Sequence, residues 1–244
     1  MSTRTAAIVL IGDEILSGKV EDANARFLII ELRRLGVALR RIVVVPDVTS
    51  DIAAAVREAS RRFDYVFTSG GVGPTHDDLT MVAVAEAFGQ RVVRHALVEQ
   101  RIREAYGTAL DERNLRMADL PEGAELLLAG SRVWPVPAVG NVYILPGVPE
   151  IFRRKFLAIA ERFADSPFHL AAIYSTQDEG KIADALDAIV AEFSMVQVGS
   201  YPRFDATDYQ VKVTLESKDR GAVVAATDAL VARLGAAVAR VERA

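Results

Sequence analysis

The chain has no cysteine, only three histidines and a single tryptophan among its 244 residues. The first absence excludes disulfides, thiolate zinc sites and a cysteine nucleophile, and it fits a reducing cytoplasm. His76, His95 and His169 are far apart, which argues against a zinc site built from histidine. Long apolar runs are also missing. No stretch approaches the ~20 residues of a spanning helix, and the run from Ala6 to Ile11 is too short for a secretory signal. The expectation is a cytoplasmic chain with no membrane partner. There is no basic surplus either: 29 Lys and Arg against 33 Asp and Glu leave a net charge of -4, without the electrostatic footprint of a DNA or RNA binder. What the chain does have is apolar content, 51% and spread along its whole length, enough for a core in each of two parts.

The order of the segments predicts an α/β protein with a mostly parallel sheet covered by helices on both faces. Ala6 to Ile11 reads as a buried parallel strand, and Asn24 to Leu35 as a helix stopped by Gly36. Arg41 to Val45 is a second strand. A helix follows to Phe63, with Thr49 or Ser50 as its cap. Asp64 to Thr68 is the third strand and Leu79 to Phe88 the third helix; Leu97 to Leu120 reads as a charged helical insertion or lid. Strands over Glu125 to Leu128 and Asn141 to Leu145 and a helix from Glu150 to Phe163 complete residues 1–165. The pattern changes near Asp165-Ser166-Pro167. Residues 166–244 read as strand, helix, two strands and helix, a small two-layer α/β unit of KH-like layout. It lacks a Gly-x-x-Gly clamp and is rich in acids, so nucleic acid is not an expected partner.

Four polar or glycine-rich clusters each follow a strand: Gly12-Asp13-Glu14, Pro46-Asp47, the loop Gly70 to Asp78, and Leu145-Pro146-Gly147-Val148-Pro149-Glu150. In an open parallel sheet such segments converge on the rim formed by the strands' carboxyl ends, where ligands bind. Gly70, Gly71 and Gly73 can adopt positive φ and leave N–H groups facing an anion, with Pro74 and Thr75 completing the cradle. Taken alone, such a loop is as readily a plain turn. It is neither a dinucleotide fingerprint nor a Walker loop. Asp77 and Asp78, with Asp47 on the same rim, would repel a phosphate unless a cation intervened. That points to a hard divalent ion (Mg²⁺, Mn²⁺ or Co²⁺) held by Asp47, Asp77 and Asp78, with a monovalent cation as a further candidate. The competing reading makes Asp78 a helix cap and leaves Asp77 solvated. Lys19 is either a phosphate partner or a surface lysine, Asn24 a ligand contact or a cap, and Glu150 a ligand contact or a first-turn carboxylate. Trp134 either stacks on a flat ring or packs in a core.

Together these motifs resemble a known family. Gly12-Asp13-Glu14-Ile15-Leu16-Ser17-Gly18, with Asn24 downstream, is similar to the opening of CinA N-terminal domains, which belong to the MoaB/MogA molybdopterin-binding superfamily. Gly70-Gly71-Val72-Gly73-Pro74-Thr75 with Asp77-Asp78-Leu79-Thr80 resembles that family's central motif, and Leu145-Pro146-Gly147-Val148-Pro149 its closing one. Val198-Gly199-Ser200-Tyr201-Pro202 and the segment Tyr209 to Ser217 look like the end of the molybdopterin-binding-like region of eukaryotic FAD synthase; Asn141-Val142-Tyr143-Ile144 points the same way. The segment Ala129 to Val136 departs from the CinA pattern, which bears on the substrate contacts made there.

The resemblance implies two activities. MogA and MoaB proteins adenylylate molybdopterin, and acids matching Asp78 and Asp47 matter there. CinA-type domains are similar to ADP-ribose pyrophosphatases, and the FAD synthase domain hydrolyses FAD. The adenylylating relatives commonly have a basic residue where this chain has Asp77. The expected function is therefore metal-dependent hydrolysis of a nucleotide pyrophosphate, ADP-ribose or FAD, by a homo-oligomer (dimer or trimer). Gly12, Glu14, Asn24, the glycine loop, Gly147, Pro149 and Glu150 would hold the nucleotide, and Lys19 would assist the leaving phosphate. The alternative is molybdopterin binding or adenylyl transfer. Neither NMN deamidation nor FAD synthesis is expected.

Overall fold

Residues 3–127, 134–203 and 208–243 are described by the computed structural model. They fall into two compact units, Ser2–Asp165 and Ser166–Ala244. In the first unit, the strand β1 (Thr5–Ile11) is buried from Ala6 to Ile11. Its side chains alternate between two cores. Ala6, Ile8 and Leu10 enter one, and Ala7, Val9 and Ile11 the other. Burial on both faces is what makes this strand a continuous apolar run rather than an alternating one.

The chain continues through a single turn α1 (Asp13–Leu16), α2 (Asn24–Arg34), β2 (Ala38–Val45), α3 (Thr49–Arg62), β3 (Tyr65–Ser69) and α4 (Thr80–Phe88). An inserted segment follows, made of β4 (Val92–Arg94), α5 (Ala96–Tyr106), 3₁₀ turns including Glu112–Ala118, and β5 (Asp119–Pro121). Then come β6 (Glu125–Leu127), β7 (Val136–Val139), β8 (Val142–Leu145) and α6 (Pro149–Ile159). The main sheet runs β2-β1-β3-β8-β7-β6. Its first four strands are parallel and β7 is antiparallel to both neighbours. This is an α/β fold with a mixed, mostly parallel sheet.

Residues of α2 and α6 pack in the core on one face, and residues of α3 and α4 in the core on the other. The first core contains a ring cluster in which Phe67 stacks on Tyr143 at 5.4 Å and meets Phe156 and Phe163 edge-on at 5.5 and 5.1 Å. Each buried large side chain contributes about 1.5–3 kcal/mol. The cluster therefore anchors β3 and β8 firmly beneath the loops they carry.

Several expectations are corrected by this structure. Val48 occupies the cap of α3, with neither Thr49 nor Ser50 bonding a helix N–H there. The helix α4 begins at Thr80 with Leu79 at its cap, so Asp78 does not cap it. The insertion is not helical throughout, because α5 ends at Gly107 (φ 51°) and Asp119–Pro121 pairs with Val92–Arg94. Its small core of Val98, Ile102, Leu115, Ala118 and Leu120 receives Trp134, the packing role among the two considered. Residues 128–133, most of the segment that departs from the CinA pattern, lie outside the described residues.

The second unit contains β9 (His169–Ser175), α7 (Glu179–Glu192), β10 (Gln197–Pro202), β11 (Val211–Ser217), α8 (Arg220–Leu234) and β12 (Val238–Glu242). Its sheet order is β10-β11-β9-β12, antiparallel at every pairing. Residues of α7 and α8 share one core with this separate antiparallel sheet. The KH-like layout finds no specific support, since the added strand β12 makes the order of elements β-α-β-β-α-β, a split β-α-β arrangement.

Candidate functional site

The order β2-β1-β3 contains a reversal. From β1 the chain moves to one side to form β2 and then to the other to form β3. At such a switch point the loops after adjacent strands diverge and leave a crevice. Here the loops after β1 and β3 are in close backbone contact at its base. Gly70 has φ 112°, and a Cβ on it would lie inside 3.0 Å of the Ile11 carbonyl oxygen. Gly71 also has positive φ, 62°, with the Thr80 hydroxyl where a side chain would go. Only glycine satisfies both demands. Thr80 then locks the turn. Its hydroxyl donates to the Gly70 carbonyl at 2.8 Å, and its N–H to that of Gly71 at 3.0 Å.

The rest of the loop is shaped by Asp78. One carboxylate oxygen accepts the Gly73 N–H at 2.6 Å, and the other accepts the Thr75 N–H and hydroxyl at 2.8 and 2.5 Å. These two N–H groups are thereby turned inward and do not face a ligand. Those of Gly71 and Val72 meet no acceptor among the described residues. Pro74 is half-buried, while Thr75, His76 and Asp77 are exposed, with Asp77 Oδ1 3.8 Å from His76 Nδ1.

On the neighbouring strands, Asp47 accepts the Asp13 N–H at 2.9 Å and Gly12 donates to the Val45 carbonyl at 3.2 Å, joining the ends of β1 and β2. Partial burial pushes the Asp47 carboxyl above the usual range. The Asp13 N–H opposes that shift, whereas the Glu14, Asp13 and Asp77 carboxylates reinforce it. Glu14 folds back, its carboxylate within 3.0 Å of the position a Cβ on Gly12 would take. Lys19 lies exposed in the following turn, its N–H donating to the Glu14 carbonyl at 2.9 Å.

With Ala23 in the cap position, Asn24 does not cap α2. It is 3% exposed, and its amide nitrogen donates to Ser69 Oγ at 2.9 Å and to the Gly147 carbonyl at 2.8 Å. One side chain thus joins α2, the end of β3 and the loop after β8. Asp22 accepts the N–H groups of Asn24 and Ala25 at the start of α2. Gly147 itself is exposed, and a Cβ there would touch Gly70 Cα at 3.4 Å. Pro149 opens α6, and Glu150 is exposed in its first turn.

All four clusters therefore stand at the carboxyl ends of parallel strands. The three aspartates do not make a ligand set. Among the described residues no group of three or more His, Asp or Glu side chains is disposed to hold a metal. The reason is visible at Asp78, whose two oxygens already accept three hydrogen bonds from the loop. Sequence reasoning missed Ser69 and Thr80, which hold the loop from beneath. It also missed Lys155, whose ammonium donates to the Pro135 carbonyl at 3.0 Å. Burial, reinforced by Arg154, lowers the Lys155 pKa to about 8. The Thr68-Ser69 pair that ends an apolar strand could have flagged the first, and the motif Asp77-Asp78-Leu79-Thr80 contains the second.

A mixed, mostly parallel α/β sheet with a glycine loop at its switch point defines a nucleotide- or cofactor-handling class of domain. The model for "Probable molybdopterin binding domain" matches residues 7–165, and that for "FAD synthase, middle domain" matches residues 167–242. The chain belongs to the molybdopterin-binding domain family, in the form that carries the FAD synthase middle domain. It is 33% identical over 255 residues to a "Probable FAD synthase" of Caenorhabditis briggsae, covering 93% of this chain and 49% of that protein. It thus spans about half the length of that relative. A protein of Pyrobaculum calidifontis is 33% identical, with 94% of each chain covered. Among solved structures, the protein CinA of Thermoplasma acidophilum, described as of unknown function, is 31% identical with a TM-score of 0.61. That similarity covers 66% of this chain and all of that one.

Proposed function

We propose that residues 7–165 bind a small phosphate-bearing heterocycle, a molybdopterin or an adenine nucleotide, at the switch point, in the manner of a pterin-binding or adenylyl-transfer protein. The observation that carries this reading is the glycine loop. Its form is fixed by Asp78 and Thr80, and it leaves the Gly71 and Val72 N–H groups without an acceptor among the described residues. Pre-formed backbone donors at the end of a buried strand suit a phosphate, because no ordering of the loop opposes binding.

One observation favours a second reading, cleavage of a nucleotide pyrophosphate. Asp47 holds its proton more tightly than an ordinary aspartate and lies within the field of Asp13, Glu14 and Asp77. Such a carboxylate can accept a proton from an attacking water as ADP-ribose and water become AMP and ribose 5-phosphate. The residues as arranged do not fit a divalent metal, so no step is derived through one.

Calorimetric titration of the full chain with AMP, ADP-ribose, FAD and molybdopterin, with EDTA or Mg²⁺ and with product analysis, separates the readings. Binding without turnover supports the first. AMP release that is lost in Asp47→Asn supports the second. Failure to bind any phosphate-bearing ligand refutes both.

A further inference from the structure

The glycine loop has a second side. Its outer face, with the start of α4, walls a cavity of about 270 Å³ closed on the other side by the insertion. The floor is apolar, from Met81, Val82, Val92 and Met117, while Arg116 and His76 stand among the polar lining residues. An adjoining cleft of about 400 Å³, between Pro74-Thr75-His76 and the turn at Asp111–Arg116, shares Arg116. An apolar cavity with a few convergent polar groups is the usual form of a small-molecule site.

The charges of the insertion differ in how they are engaged. Arg113 is bonded to Asp111 at 2.7 and 3.0 Å. Arg94 is held by both oxygens of Asp119, at 2.5 and 3.1 Å. Arg116 lies between these pairs, and its guanidinium meets no carboxylate among the described residues. The neighbouring acid on the loop, Asp78, is occupied by the Gly73 and Thr75 N–H groups. A guanidinium that meets no carboxylate among the described residues, in a cavity also walled by a loop whose Gly71 and Val72 N–H groups meet no acceptor there, is matched to a planar or tetrahedral oxyanion.

We infer that Arg116 is a phosphate-recognising side chain, and that the cavity behind the glycine loop takes the flat heterocycle of the same ligand. The inference rests on the proposed binding of a phosphate-bearing heterocycle and adds the residue that selects the phosphorylated form. The insertion is thus half of the site rather than only a lid beside it, and its small core around Leu115 positions Arg116.

The test compares AMP with adenosine by calorimetry on the full chain. In the wild-type chain AMP binds more tightly than adenosine. Arg116→Ala reduces AMP affinity about tenfold, the size of one charge-assisted hydrogen-bonding contact at a part-exposed site. It leaves adenosine affinity unchanged, and Arg116→Lys restores part of the loss. Val82→Trp, which fills the cavity, weakens both ligands. Thermal melts establish that each variant is folded. If wild-type chain binds AMP and Arg116→Ala binds it equally well, this inference falls while the proposed function stands. An equal loss in Arg113→Ala, whose guanidinium is already paired, overturns the assignment to Arg116 in favour of general charge. If the wild-type chain binds neither ligand, this inference falls, and the proposed function falls with it only if ADP-ribose, FAD and molybdopterin also fail to bind.

Discussion

Asn24 offers the most direct test of how the rim is held together. Replacing it by alanine removes a buried hydrogen bond to Ser69 and a part-buried one to the Gly147 carbonyl. The Ser69 hydroxyl can turn elsewhere, and the carbonyl of the exposed Gly147 can accept from water. One gain opposes the loss, since Asn24 Oδ1 is itself buried without a partner and disappears with the side chain. Two lost bonds at about 1 kcal/mol each, with a partial offset from the deleted oxygen, leave about 1–2 kcal/mol of destabilisation. For a unit of this size that corresponds to a fall in Tm of about 2–8 °C, read by calorimetry or circular dichroism. Asn24→Asp sharpens the test. Burial without donors raises the pKa of the introduced carboxyl above its unfolded value, so its folded state is least penalised below about pH 4 and loses stability as pH rises through the raised pKa. The gap from wild type should therefore widen from pH 4 to pH 7. An Asn24→Ala protein that melts within a degree of wild type, or an Asn24→Asp gap that is flat with pH, would refute the role of Asn24 as a buried tie.

Other expectations follow from the same geometry. Gly70→Ala places a Cβ against the Ile11 carbonyl at a φ open mainly to glycine and should cost more than about 3 kcal/mol, whereas Gly89→Ala (φ 65°, open space) should cost only about 1 kcal/mol in a denaturant titration. In Asp78→Ala the amide protons of Gly73 and Thr75 should lose protection in hydrogen exchange, while those of β1 keep theirs; unchanged protection at both would contradict Asp78 as the loop's organiser. Lys155 titrates near 8 when folded and near 10.5 when unfolded, so it reduces stability as pH falls through that window. Lys155→Met should then be the more stable protein at pH 6 by about 1–2 kcal/mol, once the lost bond to Pro135 is allowed for, and should lose that advantage by pH 10.

How far the sequence reveals this structure depends on whether the forces involved are local. The strand β1 is legible because burial on both faces leaves an unbroken apolar run, and the glycine loop because positive φ leaves few alternatives to glycine. The strand β7 is not, since its four residues include Pro137 and it forms only by pairing with its neighbours. The strand β12 has two half-buried and three exposed residues, and its pairing with β9 is a long-range event. Side-chain roles divide in the same way. Asp78 as a cap and Asp78 as a loop anchor look identical in sequence, because both place a carboxylate near N–H groups a few residues away. Asn24 reaches partners 45 and 123 residues distant, and no local pattern encodes that.

The role of Asp78 also determines which substitution can identify the chemistry. Because its carboxylate shapes the loop, Asp78→Asn disturbs the site whether or not that group ever meets a ligand or an ion. A loss of activity there is equally compatible with binding, adenylyl transfer or hydrolysis. Asp77 is the informative neighbour. It is exposed, and the N–H groups of Gly73 and Thr75 go to Asp78 instead, while the Thr75 hydroxyl serves both carboxylates and lowers the Asp77 pKa. Asp77→Asn therefore removes a charge from the rim and keeps the loop's backbone contacts to Asp78, since the amide oxygen can still accept from the Thr75 hydroxyl. If the site only binds an anionic ligand, removing that repulsion should tighten AMP binding by about twofold to threefold at low salt, and the gain should shrink as ionic strength rises. If the carboxylate takes part in pyrophosphate cleavage, the same substitution should lower turnover while AMP binding holds or improves. Weaker AMP binding in Asp77→Asn with no change in turnover would contradict both accounts, since neither gives this carboxylate a favourable contact with phosphate.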